Sequence, residues 1–154
     1  MRIAAAAAAK GYRVVFRSFE WEPWQIREMI GDAPVEVVRV AVAPPAYAAQ
    51  IYEFYKLLRE RSPDLIISDG FDVEFTAYGR KALQLNLAML QMMKEAGVAF
   101  VGTMDKSHGL AGYVDNVLRI VVGGGAREIR VVKSFGRPLR PSCRLSQTFD
   151  CVAS

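Results

Sequence analysis

Three groups of residues in this 154-residue chain have the types and spacing to do chemistry. They are acids at the ends of apolar runs, a basic C-terminal stretch, and two cysteines. The sharpest is Asp69, in the run Asp64-Leu65-Ile66-Ile67-Ser68-Asp69-Gly70. A run this short and apolar suits a strand buried on both faces, as in a parallel sheet covered by helices. Asp69 then stands at the carboxyl end of the strand, the edge where open α/β sheets place their ligands. A carboxylate there can hold magnesium. Glu20 and Glu22 follow a second such run, Tyr12 to Phe19.

The basic stretch begins at Ala126. Arg127, Arg130, Lys133, Arg137, Arg140 and Arg144 face only Glu128 and Asp150, and the residues before them balance at fourteen against fourteen. That tail therefore carries the whole formal charge of +4. It suits contact with phosphates or an acidic surface, or else a solvated strand face. Cys143 and Cys151 have no other ligands near them to make a metal site. They straddle a turn and could face each other on adjacent strands, although cytosolic thiols are normally reduced. The only histidine, His108, has no partner for catalysis or metal and reads as a surface loop residue.

The elements that must position these residues alternate. Ile3 to Lys10 is alanine-rich and helical, ended by Gly11. Tyr12 to Phe19 reads as a strand, Pro23 to Gly31 as a short helix, and Val35 to Val42 as a second strand. Ala46 to Arg61 places Tyr47, Ile51, Phe54, Tyr55 and Leu58 on one helical stripe. The Asp69 strand follows, then a polar loop over Gly70–Gly79. A long helix spans Arg80 to Ala96 with Lys81, Gln84, Gln91 and Glu95 as its wet stripe. Val98 to Val101 is a further strand, and Met104 to Gly112 is polar. Asn116–Val122 and Glu128–Ser134 flank Gly123-Gly124-Gly125 as a hairpin, and Arg140–Val152 adds further strand. This order implies an α/β fold: a mostly parallel sheet flanked by helices and extended by C-terminal antiparallel strands, in a single domain over 1–154. No apolar run approaches the roughly 20 residues that span a bilayer. The opening Met-Arg-Ile and six alanines lack the features of a secretory signal, so a cytoplasmic protein with no membrane partner is expected.

Three stretches, in this order and spacing, carry a resemblance. Lys10-Gly11-Tyr12 through Phe19-Glu20 is similar to a helix, glycine, strand and acid that follow a phosphate loop. Leu65 to Asp69 is similar to a Walker B strand, with Gly97 to Thr103 as the next strand. Tyr113 to Ile120, then Arg130-Val131-Val132-Lys133-Ser134, is similar to a terminal D-x-V-L-x-L … R-x-x-x-x-K-S pattern. Together they resemble the RecA-like P-loop ATPase core of RecA, the archaeal RadA recombinases and their paralogues, and the KaiC-like proteins, from about Ala4 to Val152. The resemblance implies ATP and Mg2+ as cofactors. Glu20 would polarise the attacking water, with Glu22 competing for that role, and Asp69 would orient magnesium. Lys133 would reach a neighbouring subunit's nucleotide, although Phe135 stands where many KaiC-like proteins place a second basic residue. The loops after Asp69 and Thr103 would line a DNA-facing channel. Their Arg80, Lys81, Lys106 and His108 are mixed with Asp72, Glu74 and Asp105, unlike a positive single-strand funnel.

The chain departs from the pattern at its start. The first strand and the loop G-x-x-x-x-G-K-[ST] would precede the alanine helix, and no such motif occurs in these residues. Gly123-Gly124-Gly125-Ala126-Arg127 has no following Lys-Ser/Thr, and Lys106-Ser107 and Lys133-Ser134 lack the glycines. Phosphates would then find no amide cradle, and ATP hydrolysis is not expected of these residues alone. The implied function is a RecA/RadA/KaiC-type ATPase-family domain linked to DNA recombination or repair, or to its regulation. It would work as a homo-oligomer or with a paralogue, and would be the C-terminal part of a longer ATPase. The alternative is a non-catalytic RecA-fold adaptor, a degenerate paralogue that binds a full-length relative or nucleic acid. A Rossmann-like enzyme is disfavoured, since no G-x-G-x-x-G turn follows a strand.

Overall fold

The computed structural model describes residues 1–41, 47–106, 109–123, 126–136, 142–146 and 151–152, and in these the side chains of 47, 74, 76, 77, 151 and 152 are outside the description. The chain forms two compact units, Met1–His108 and Gly109–Ser154.

The first unit opens with helix α1 (Arg2–Ala9), which buries Ala4 and Ala8 on one stripe. Alanine side chains this small let the helix lie close to the sheet. Gly11, at φ +87°, ends it in the left-handed conformation that glycine adopts without a Cβ clash. Strand β1 (Val14–Ser18) follows, with every residue buried. Next come α2 (Pro23–Ile30), β2 (Val35–Arg39), α3 (Tyr47–Arg61), β3 (Leu65–Asp69), α4 (Val73–Tyr78), α5 (Arg80–Glu95) and β4 (Ala99–Gly102). The four strands make one sheet in the order β2-β1-β3-β4, and all its pairs are parallel. This confirms the α/β class and the parallel, helix-flanked sheet.

Strand alternation sorts the sheet's two faces. Val14 and Phe16 of β1 and Ile67 of β3 form a core with Ala4 and Ala8 of α1, Ile26 and Ile30 of α2, and Val35 of β2. On the other face, Arg17 is only 3% exposed, and its guanidinium lies 4.8 Å from the ring centroid of Phe54 on α3. Helix α5 buries Ala82, Leu85, Asn86, Met89 and Met93, the spacing of a helix with one covered face. Asn86 is the exception in that stripe. Both its amide atoms, like Ser68 Oγ, have no hydrogen-bond partner among the described residues.

The amino ends of β1 and β3 are stapled together. The Arg13 side chain donates to both carboxylate oxygens of Asp64, at 3.2 and 3.1 Å, and its backbone N–H donates to the same group at 2.8 Å. In return, the Asp64 and Leu65 N–H groups donate to the Arg13 carbonyl.

The second unit contains a 3-10 turn (Leu110–Gly112) and strands β5 (Val117–Gly123), β6 (Ala126–Lys133), β7 (Ser142–Leu145) and β8 (Cys151–Val152). They form a sheet of their own, antiparallel throughout, in the order β5-β6-β7-β8. The expected antiparallel strands are therefore present, but they do not extend the parallel sheet. Cys143 is buried and disulfide-bonded, which agrees with the facing-cysteine expectation over the reduced one.

The expected polar loop over 70–79 is corrected: it holds the short helix α4, closed by Gly79 at φ +55°. His108, Arg137 and Arg140 lie outside the described residues.

Candidate functional site

The carboxyl edge of the parallel sheet gathers the sequence-predicted acids. In register, Ser18 of β1 stands between Arg39 of β2 and Asp69 of β3.

Asp69 is held from the next strand. The Thr103 N–H donates to the Ser68 carbonyl at 3.0 Å, placing Thr103 just beyond β4 beside the aspartate. The Thr103 hydroxyl donates to Asp69 Oδ1 at 2.7 Å and accepts the Gly70 N–H at 3.1 Å. One hydroxyl thus fixes the carboxylate and the turn that follows it. The Phe71 N–H closes the arrangement on the Thr103 carbonyl at 2.9 Å. Asp69 Oδ2 takes no hydrogen bond among the described residues, so one oxygen remains available to a ligand.

Glu20 converges on the same turn. Gly70 adopts φ +71°, and a Cβ built on it would stand 3.5 Å from Glu20 Oε1 and 3.2 Å from Val73 Cγ2. Glu20 is exposed, and its carboxylate borders this edge with no ion pair among the described residues. Glu22 is engaged differently. Its backbone N–H donates to Gln25 Oε1 at 2.9 Å at the start of α2, and its carboxylate pairs with Arg39 at 3.2 Å. The two glutamates are placed differently: Glu22 organises the helix start, and Glu20 stands beside the Asp69 turn.

Arg39 and Thr103 are the residues that sequence reasoning missed at this edge. Arg39 Nη1 donates to the carbonyls of Ser18, Phe19 and Val40, and so braces the loop that carries Glu20. Both sit at the carboxyl ends of strands, as Asp69 does, and that shared position was the available signal. Asp72, expected in the loop, is a second brace. Its Oδ2 accepts the N–H groups of Asp105 and Lys106, at 3.1 and 3.3 Å, tying the loops after β3 and β4.

Helix α1 begins at this edge. The Asp69 carboxylate acts on the Met1 amino group, raising its pKa, but burial acts more strongly and leaves that amine below its ordinary value.

Among the described residues, no group of three or more histidine, cysteine or acidic side chains could hold a metal ion by itself. The set at the edge is one carboxylate with a free oxygen, one carboxylate beside it, and a threonine hydroxyl. That fits magnesium in the manner usual for it, with one or two protein carboxylates and the remaining positions taken by water and substrate phosphates.

Lys133 lies in the second unit, and its amine is fully engaged there. Nζ donates to the carbonyls of Ala111, Gly112 and Val114, at 3.1, 3.2 and 2.6 Å. Three donors meet three acceptors, which is the whole capacity of an ammonium group. Among the described residues, no helix is long and apolar enough to cross a membrane.

No protein-family model matches the chain and no curated protein matches it, so the case for what this edge does rests on its own geometry.

Proposed function

We propose that the chain is the magnesium-orienting and water-polarising part of a RecA-like nucleotide hydrolase. The observation that carries the reading is the convergence of Asp69 and Glu20 on the Gly70 turn, with Thr103 holding Asp69 and leaving one of its oxygens open. Magnesium, when bound with a nucleotide, supplies charge for the phosphates. Asp69 would help hold it, and the Thr103 hydroxyl keeps that carboxylate from rotating. Glu20, exposed beside the same turn, accepts a hydrogen bond from the attacking water. Arg39 fixes the loop from which it does so. Phosphate binding itself needs backbone amides and a lysine that these residues do not supply. The resemblance extends the reading to work on DNA in an oligomer of this chain or with a paralogue.

The test is the coding sequence upstream of the Met1 codon, followed by ATPase assays on the protein from the whole reading frame. An in-frame strand and G-x-x-x-x-G-K-[ST] loop are expected. In that protein Glu20→Gln should lower kcat by about 10²–10⁴-fold with little change in KM, the range for a positioned acid–base group. A stop codon close to Met1, or full turnover by the Glu20→Gln variant, rejects the hydrolase reading.

A second reading, the non-catalytic adaptor, is favoured by Lys133. An amine that closes the Ala111–Val114 turn of its own unit does not extend to a neighbour's nucleotide. On this reading the chain binds no nucleotide, and its sheet edge or basic segment holds a partner.

A further inference from the structure

The sheet of the second unit is two-faced. Cross-strand partners share a face, so the register of β5, β6 and β7 places Leu118, Ile120, Val122, Ile129, Val131, Cys143 and Leu145 together, with the exposed Arg127 at one end of the row between Val122 and Leu145. On the other face stand Arg119, Val121, Glu128, Arg130, Ser142 and Arg144. The apolar face is covered toward β7, where Cys143 is buried, and open toward β5. Leu118, Ile120 and Val122 are 53%, 63% and 72% exposed. Strand β5 is also the edge of its sheet, with no strand on its outer side among the described residues. An edge of seven residues with an unpaired backbone and an alternating apolar row is a template for a further strand.

Charge decides what that strand carries. Arg119 is the only ionisable residue of β5. It is exposed, has no ion-pair partner among the described residues, and stands directly opposite Arg130 in the register. Like charges directly opposite each other on one sheet face repel. Arg130 relieves this by pairing with Glu128 at 2.9 Å, and Arg119 has no such relief among the described residues. A carboxylate on the outer side of β5, level with Arg119, would supply it. The unit also carries the chain's net positive charge, since residues 109–154 hold seven basic residues against three acids. A second copy would bring the same excess to the edge.

We propose that the outer edge of β5 binds an extended segment of a partner protein in which apolar and acidic residues alternate. The segment adds a fifth strand by main-chain hydrogen bonds. Its apolar residues continue the Leu118-Ile120-Val122 row, and an acidic residue lies opposite Arg119. The inference stands whether or not the first unit handles nucleotides.

The probe is a seven-residue capped peptide alternating valine and glutamate, compared with its valine–lysine counterpart by fluorescence anisotropy on the full chain at low salt. The glutamate peptide is expected to bind at least about tenfold more tightly, the result of exchanging attraction for repulsion at the facing position. Arg119→Glu is an exposed substitution that should leave the fold intact, checked by circular dichroism, and is expected to reverse the preference. Ile120→Asn is expected to weaken both peptides. Equal binding of the two peptides, binding of neither, or an unchanged preference in the Arg119→Glu variant overturns the proposal. Sedimentation equilibrium supplies a further arm: self-association of the chain that is lost in the Ile120→Asn variant would make a second copy the occupant and overturn it as well.

Discussion

At the residue scale the edge turns on Gly70. Its φ of +71° is a conformation that costs an L-residue roughly 1–2 kcal/mol. A Cβ there would also press on Val73 Cγ2 at 3.2 Å and approach the Glu20 carboxylate. Gly70→Ala is therefore expected to destabilise the chain by about 1–2 kcal/mol, and to displace the turn on which Asp69 and Glu20 meet. Urea denaturation measures the first effect; a variant as stable as the parent would mean that the turn relaxes at no cost. The same scale shows how far the sequence could be read. Asp69 was legible because an acid closing an apolar run marks a strand end, and Glu20 because it follows another such run. What separates Glu20 from Glu22 was not legible. It depends on Arg39, seventeen residues beyond Glu22, and on the Gln25 cap, neither of which strand or helix periodicity describes. Thr103 was equally hidden, since a threonine after a short strand is ordinary until the neighbouring strand brings an aspartate within 2.7 Å.

At the scale of elements, periodicity marked the long helices and the buried strands, and it failed at α4. A six-residue helix between Asp72 and Gly79 is too short to show a repeat, and so short a helix is marginal in isolation. It forms here because it packs on α5, and that is tertiary information. The start of the parallel sheet, by contrast, carries an exposed pair of charges. The Asp64 carboxyl is held below its ordinary value of 3.8, first by the side-chain hydrogen bonds from Arg13 and then by the Arg13 backbone N–H. A depressed carboxyl stabilises the folded state above its unfolded pKa. That contribution disappears as pH falls through the lower folded value. The charge of Asp64 should thus matter at neutral pH and cease to matter well below pH 3.8. The stability difference between the parent and Asp64→Asn, taken from urea midpoints, is expected to be larger at pH 7 than at pH 2. A difference that persists undiminished at pH 2 would assign the effect to packing and not to charge.

At the scale of the whole chain, the alternation of strands and helices predicted the parallel sheet, and the glycine-flanked apolar runs predicted the antiparallel one. That the two are separate sheets was not legible, because a strand's partner is set by three-dimensional neighbours and not by its own pattern. The division has an energetic consequence. Unit 1–108 holds a core of its own, with Phe16, Ile26 and Ile67 between the parallel sheet and helices α1 and α2, and Leu85, Met89 and Met93 buried along α5. It also balances thirteen basic residues against thirteen acids. Unit 109–154 is small, open toward β5 and tied by a disulfide at Cys143. Domains below about 40 residues usually need such a covalent tie, and one of 46 residues stands close to that limit. Reduction should therefore act on the second unit alone. A fragment of residues 1–108 is expected to unfold in urea as one cooperative step with the same midpoint in the presence and absence of dithiothreitol. The full chain should lose an additional, reductant-sensitive transition that reports on β5 to β8. Hydrogen exchange localises each change, with the β6 amides losing protection on reduction and the β1 and β3 amides keeping theirs. A single transition in the full chain that shifts as a whole on reduction would show that the two cores are thermodynamically one.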